Sequence, residues 1–345
     1  MTHAPIRLAT VAVERWPVAG AFIISRGAKT HVDVVVCTVT DGMHAGRGEG
    51  TPIYYHGETA EGCAEAIEAV AGDPRAFDRE ALRALMPAGA ARNALDCALW
   101  DIEAQRAGRP VWALAGLPEP RALPTAFTIS LDTPEAMAAA ARAAAARGFG
   151  LLKCKLTGEG DRERVAAVRA GAPEARLIVD ANESWAGLDV AAEAEALGAF
   201  GVALIEQPLP AGADSRLADI HASVPFCADE SCQSLADMGG LAGYQAINIK
   251  LDKAGGLTEA LAMARAARER KQHILAGCML ATSLGIAPAF LLAQLADWVD
   301  LDGALLLARD RDGALEASAG CVKAGNLWGL CAEANRLTPL TWEGH

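Results

Sequence analysis

From about Leu151 to Gly256 the chain repeats one pattern. A short apolar run ends in a charged residue, a helical stretch follows, and the cycle restarts. The endings are Leu151-Leu-Lys-Cys-Lys155, Leu177-Ile-Val-Asp-Ala-Asn182, Ala203-Leu-Ile-Glu-Gln207, Pro225-Phe-Cys-Ala-Asp-Glu230 and Ile247-Asn-Ile-Lys250. Short apolar runs bounded by turns predict strands buried on both faces. Their alternation with helices predicts βα units of a parallel sheet. The rhythm extends both ways: Thr125–Leu131 reads as a strand and Pro134–Arg147 as a helix, while His273–Met279 and Trp298–Gly303 read as the last two strands. Eight such strands predict an α/β fold of the (β/α)8, modified TIM barrel type rather than an open doubly wound sheet.

Ahead of this region the pattern changes. Residues 6–14 alternate as a half-buried strand does, Phe22–Thr30 is polar and Gly-bearing and reads as a loop, and Val32–Val39 is a second strand. Asp41-Gly42 predicts a hairpin turn into Ala45–Glu49. Helices follow over Glu58–Ala71, Asp78–Leu85 and Asn93–Ala107, with Leu95, Leu99 and Ile102 on one inward face of the last. The expected organisation is an α+β domain over residues 1–120, a barrel over 121–315, and a Gly- and Ala-rich tail, 316–345, returning to the first domain. Ile274–Ala296 carries no charge, and its length alone satisfies a membrane span. It nevertheless breaks into a strand and a helix in register with the repeat, so it reads as barrel interior.

Composition narrows the function. The 345 residues are 52% hydrophobic and 21% charged, which suits a packed globular enzyme. A net charge of −12 argues against nucleic acid as a ligand, since phosphate binding needs a basic face. The nine cysteines are scattered, without paired C-x-x-C spacing, and read as reduced, buried small hydrophobes. The first residues lack the features of a signal peptide, so the expected compartment is the cytoplasm, with no membrane partner. A symmetric homo-oligomer is the default expectation.

The charged endings carry the chemistry, because in a parallel barrel they project into one mouth. Asp180, Glu206 and Asp229 come from three consecutive strands. Three converging carboxylates repel unless a cation joins them, and oxygen-only ligands point to Mg2+ or Mn2+ rather than zinc. Lys153 and Lys155 flank the triplet on one side and Lys250 on the other, the alternation of a strand placing the first two on one face. A lysine becomes a base when nearby positive charge lowers its pKa, which the metal and the Lys153–Lys155 pairing would do. Lys253, past the strand end, reads as a counter-charge to the acids. Gly46-Arg-Gly-Glu-Gly50 lacks the G-x-G-x-x-G spacing and predicts no dinucleotide site. His221 and His273 lack metal-ligand spacing and read as structural.

Taken together, Lys153-Cys-Lys155, the IVDANESW stretch at 178–185, LIEQPLP at 204–210, CADES at 227–231 and NIKLDKAGGLTEA at 248–260 resemble the enolase superfamily, in its muconate-lactonizing-type branch and among the dipeptide epimerases, especially those acting on L-Ala-D/L-Glu. The resemblance runs over nearly the whole chain and implies that residues 1–120 form a capping domain. It implies that Asp180, Glu206 and Asp229 hold one Mg2+ per subunit, which takes the substrate carboxylate and stabilises an enediolate. Lys155 and Lys250 then stand on opposite faces of the α-carbon and carry out a 1,1-proton transfer, with Lys153 auxiliary. Asp300 and Asp302 would bind the ammonium of a dipeptide. Arg26 and Tyr54 on capping loops would meet the second residue's side chain, Thr128 the peptide backbone, and Cys278 and Met279 the substrate. The implied activity is a dipeptide epimerase, interconverting L-Ala-D-Glu and L-Ala-L-Glu in murein peptide metabolism. Epimerases of other dipeptides, N-acylamino acid racemases and o-succinylbenzoate synthases of the same branch are the rivals. A catalytically idle peptide- or metal-binding barrel is disfavoured by the intact lysine pair.

Overall fold

The computed structural model describes residues 3–24 and 27–330, the side chains of residues 21–24 excepted. Strands Arg7–Ile24, Gly27–Thr40 and Ala45–Gly50 form an antiparallel sheet in chain order. The stretch Phe22–Thr30 is not a loop. Phe22 pairs with Lys29, Ile23 with Ala28 and Ile24 with Gly27, so residues 22–24 and 27–29 extend the two long strands. An antiparallel ladder satisfies the backbone whatever the side chains, so polar and Gly residues here did not signal a strand.

Helix Ala90–Ala107 lies across this sheet. Val35, Cys37 and Val39 meet Leu95, Leu99 and Ile102 in a closed core. The third strand comes closer still. A Cβ on Gly46 would lie 2.2 Å from Ala98 O, one on Gly48 2.1 Å from Ala94 O, and one on Gly50 2.2 Å from Ala90 O. Two strand residues advance about 6.7 Å and four helix residues about 6 Å, so three successive contacts stay in step. The glycines of Gly46–Gly50 thus let a strand lie against a helix backbone.

The second domain is the (β/α)8-type barrel. Its strands are Ala126–Ile129, Leu151–Lys155, Arg176–Asp180, Val202–Glu206, Phe226–Ala228, Ala246–Ile249, His273–Gly277 and Trp298–Asp300, parallel and in chain order. The fourth, fifth and eighth are followed by 3-10 turns rather than α-helices. Among the described residues no backbone ladder joins the first strand to the eighth. Side chains close that seam: Leu301 N donates to Thr125 Oγ1 at 2.9 Å, and Thr128 N to Asp302 Oδ2 at 2.7 Å. One apolar side chain from every strand fills the barrel floor: Ala126, Leu151, Ile178, Leu204, Cys227, Ala246, Leu275 and Trp298. The uncharged stretch is the strand His273–Gly277 and the helix Ser283–Ala293. No helix among the described residues is long and apolar enough to cross a membrane.

Buried polar groups fasten the first domain to the barrel. Asp252 accepts from Thr51 N and Asn93 Nδ2, both at 2.8 Å, and Asp96 accepts from Thr258 N at 3.0 Å. Burial pushes Asp96 up to about 6 and Asp252 up to about 7. After the barrel, Glu316–Ser318 and Cys321–Lys323 form a hairpin that pairs with Leu123–Pro124. Gly329 N then donates to Asp101 Oδ1 at 2.9 Å, and Trp328 Nε1 to Cys97 O at 3.2 Å, so the chain comes back to the helix Ala90–Ala107.

The glycine contacts make a direct prediction. Gly48→Ala forces the strand off the helix and lowers the free energy of unfolding by about 1–3 kcal/mol. Urea denaturation measures it, and a loss under about 0.5 kcal/mol would show that the contact yields freely.

Candidate active site

Every barrel strand has period two, so the residue two places beyond its floor residue points into the same interior. Those residues are Thr128, Lys153, Asp180, Glu206, Asp229, Asn248, Gly277 and Asp300. Beneath them lies the apolar floor, and one step above come Lys155, Asn182, Lys250 and Asp302. Gly277 has no side chain because Asn248 occupies the space: a Cβ there would lie 2.3 Å from Asn248 Oδ1.

Asp180, Glu206 and Asp229 each offer an oxygen within 4.8 Å of the others, and all three are buried. On each, one oxygen is pinned from behind. Asp180 Oδ1 accepts from Asn182 N at 3.0 Å, Glu206 Oε1 from Asn248 Nδ2 at 2.7 Å, and Asp229 Oδ1 from Lys253 Nζ at 2.6 Å. The second oxygen of each faces ammonium groups. Lys155 Nζ lies 2.6 Å from Asp180 Oδ2, Lys250 Nζ 2.6 Å from Asp229 Oδ2, and Lys153 Nζ 2.6 Å from Glu206 Oε2. That last pair is close in charge but not in direction, for Glu206 Oε2 receives no aligned hydrogen bond. Three convergent, all-oxygen donors, one of them an orphaned buried carboxylate oxygen, fit a hard divalent cation.

The charges shift one another strongly. Burial and the adjacent Asp180 push Glu206 up to about 8. Burial acts the same way on Asp180 and Asp229, but Lys155 and Lys153 hold the first below the ordinary carboxylate range, and Lys250 and Lys253 the second. Burial would lower Lys153, yet Asp300, Glu206 and Asp180 hold it well above its ordinary value. Lys250 is likewise held up by Asp229 and Glu206 against burial. This corrects one expectation: Lys153 is not a bare positive charge beside Lys155, since three carboxylates surround it.

Opposite the triplet stand Asp300 and Asp302, both buried. Asp300 Oδ2 accepts from Lys153 Nζ at 2.8 Å, whereas its Oδ1 has no hydrogen-bond partner. Burial and then Asp300 push Asp302 up to about 7. Two adjacent carboxylates with an unused oxygen suit a cationic donor.

Lys153, Lys155, Asn182, Asp229, Lys250, Asp300 and Asp302 line one cleft of about 650 Å³, mouth included, between the barrel and the first domain, with Asp180 and Glu206 buried just behind its surface. Thr128, Cys278 and Met279 line it too, and Tyr54 enters from the 3-10 turn Tyr54–His56. Arg26 falls outside the described residues. Lys29, overlooked in the sequence because its stretch read as a loop, does reach the cleft. Its Nζ stands 4.0 Å from the centre of the Tyr54 ring, burial lowers its pKa, and it has no carboxylate partner among the described residues. Asn182 and Asn248, the donors behind Asp180 and Glu206, also lacked an assigned role. For Asn248 the signal was parity, since it shares the inward face of its strand; Asn182 acts through its backbone N past the strand end, at a φ of +42°, which sequence does not report. His221 lies in an exposed loop and His273 at an exposed strand start, neither in the cleft.

Comparison with known proteins agrees with this geometry. Residues 135–337 match the enolase C-terminal domain-like family, and residues 6–116 match the mandelate racemase / muconate lactonizing enzyme N-terminal domain. The chain is 42% identical to L-Ala-D/L-Glu epimerase of Escherichia coli K12 over 317 residues, covering 91% of this chain and 99% of that protein. It is 41% identical to N-acetyl-D-glutamate racemase of a Pseudoalteromonas species, covering 88% and 97%. Among solved structures, an enolase family member from Agrobacterium tumefaciens, described with bound sodium and L-Ala-L-Glu, superposes with a TM-score of 0.90 at 48% identity, covering 94% of this chain and all of that one. A dipeptide epimerase from Cytophaga hutchinsonii complexed with Mg and D-Ala-L-Val superposes at 0.85 with 26% identity, covering 92% and 93%. With both domains matched in order and the barrel mouth carrying the acids and lysines described, this chain belongs to the mandelate racemase / muconate lactonizing enzyme family of the enolase superfamily.

Proposed function

We propose that this chain is a dipeptide epimerase that uses one Mg2+ per subunit and interconverts L-Ala-D-Glu and L-Ala-L-Glu. Asp180, Glu206 and Asp229 would hold the metal, which when bound would supply the positive charge that makes the α-proton of a carboxylate substrate easier to remove. Lys155 and Lys250 come from the second and sixth strands, half-way round an eight-stranded ring from each other, which supports their acting on opposite faces of one carbon. One lysine, neutral, takes the proton. The other, as ammonium, returns one from the far side, and the centre inverts. Lys153 keeps the acids and Asp300 in fixed relation. Lys29 supplies the positive charge for a second-residue carboxylate, beside Tyr54.

The observation that carries the dipeptide reading is the acid pair Asp300–Asp302 with its unbonded oxygen. A free α-ammonium answers that pair, and an N-acylated amino acid has none. The racemase relative favours the second reading, an N-acylamino acid racemase acting on the same glutamyl side chain.

Three outcomes are expected. Lys155→Ala and Lys250→Ala each lose epimerisation by about 10²–10⁴-fold, yet each keeps solvent deuterium exchange from a different epimer, read by mass spectrometry. Exchange from the same epimer in both variants would remove the two-face assignment. Asp302→Asn, which keeps an acceptor for Thr128 N, lowers kcat/KM on L-Ala-L-Glu by roughly 10–100-fold and leaves N-acetylglutamate racemisation unharmed. Robust wild-type activity on N-acetylglutamate, with none on dipeptides, favours the racemase instead. Lys29→Met raises KM for L-Ala-L-Glu by about 10-fold with little change for L-Ala-L-Leu. An equal rise for both substrates would take Lys29 out of side-chain recognition.

A further inference from the structure

We propose that Lys253 is a positioning residue for the acid triplet: it sets which oxygen of Asp229 turns into the cleft, and with it the affinity for a divalent cation. The inference rests on the metal reading above.

Asp229 has little ladder to hold it. Its strand, Phe226–Ala228, is three residues long, with two register pairs to each neighbour, and a 3-10 turn rather than a helix follows. Side chains just beyond the two flanking strands do the holding, Gln207 after Val202–Glu206 and Lys253 in the short helix Leu251–Ala254. On one side Gln207 has a φ of +35°, in the left-handed region that non-glycine residues seldom adopt. Its Oε1 accepts from Asp229 N at 2.9 Å and Ser231 N at 3.1 Å, while its Nε2 donates to Leu209 O at 2.8 Å and Tyr244 Oη at 3.0 Å.

On the other side is Lys253, 2% exposed and absent from the cleft lining. Its Nζ donates to Asp229 Oδ1 at 2.6 Å, Cys232 O at 2.9 Å and Asn248 O at 3.2 Å, and also meets Asp229 O. An ammonium present only to balance charge needs one carboxylate. This one is surrounded by three backbone carbonyls, from the fifth strand's end, the loop behind it and the sixth strand. With Oδ1 fixed, Oδ2 is left toward Lys250 and the cleft. On the side away from the cleft, the pinned oxygens of Asp180 and Glu206 accept from uncharged donors, whereas the pinned oxygen of Asp229 accepts from a lysine.

The two roles predict opposite signs. A lysine that only balances charge repels an incoming cation, so removing it tightens binding. A lysine that positions a ligand loosens binding when removed, by about 10–100-fold for groups behind a metal ligand. The test is Mn2+ titration of the full-length protein, followed by electron paramagnetic resonance, in the wild type, Lys253→Met, Gln207→Leu and Asp101→Asn, the last a buried control in the first domain. The expected result is 10–100-fold weaker Mn2+ binding in Lys253→Met and Gln207→Leu, with the control unchanged even where its thermal midpoint falls. Unchanged or tighter binding in Lys253→Met overturns the proposal. If that variant does not fold, Lys253→Gln, also uncharged but still polar among the carbonyls, decides by the same criterion. A wild type that binds no Mn2+ overturns the metal reading itself, and this inference with it.

Discussion

Charge compensation out of water governs this molecule. Asp180, Glu206, Asp229, Asp300 and Asp302 lie buried in the same barrel mouth as Lys153, Lys155, Lys250 and Lys253. An isolated carboxylate there would protonate or unfold its surroundings. Each group is tolerable only because others stand within a few ångströms, and so the positions of strands, loops and the first domain are all constrained together. Burial raises the cost of an error, and it also strengthens each correctly placed contact.

The barrel meets that constraint by layering. Eight apolar side chains close the floor, the next inward residues hold the charges, and the third layer brings in Lys155, Lys250 and Asp302. Strand pleating generates the first two levels, and the residues just past the strand ends, Lys250 and Asp302 among them, complete the third. The domain over the mouth contributes what a barrel cannot, a set of groups such as Lys29 and Tyr54 facing down onto the charges. Its attachment through Asp96 and Asp252 is itself buried and polar, so its placement depends on specific partners rather than on greasy contact.

The barrel and the charged endings were legible because both depend on periodicity. A short apolar run followed by Lys, Asp or Glu records burial and parity in one stretch of chain, and Asp180, Glu206 and Asp229 could be found from it. Other features left no such record. The strand ends at residues 22–24 and 27–29 are held by backbone pairing, which polar residues do not announce, and Lys29 was hidden with them. The glycines at 46, 48 and 50 could be dismissed as a dinucleotide loop from their spacing, but the helix backbone they lie against could not be read from it. Lys253 looked like spare charge, because three of its four acceptors are backbone carbonyls, two of them from outside its own segment. Pattern reports what a residue's neighbours in sequence are doing. It is silent on partners brought in from elsewhere.

The join between first and eighth strands has a consequence for how such enzymes diversify. Asp302 both fastens that join, through Thr128 N, and lines the cleft. Architecture and molecular taste are therefore written into a single side chain. A lineage that changes this residue must either keep an acceptor for Thr128 N, as asparagine would, or re-tie the cylinder in the same step, which makes the loops of the overlying domain the easier place for novelty to begin.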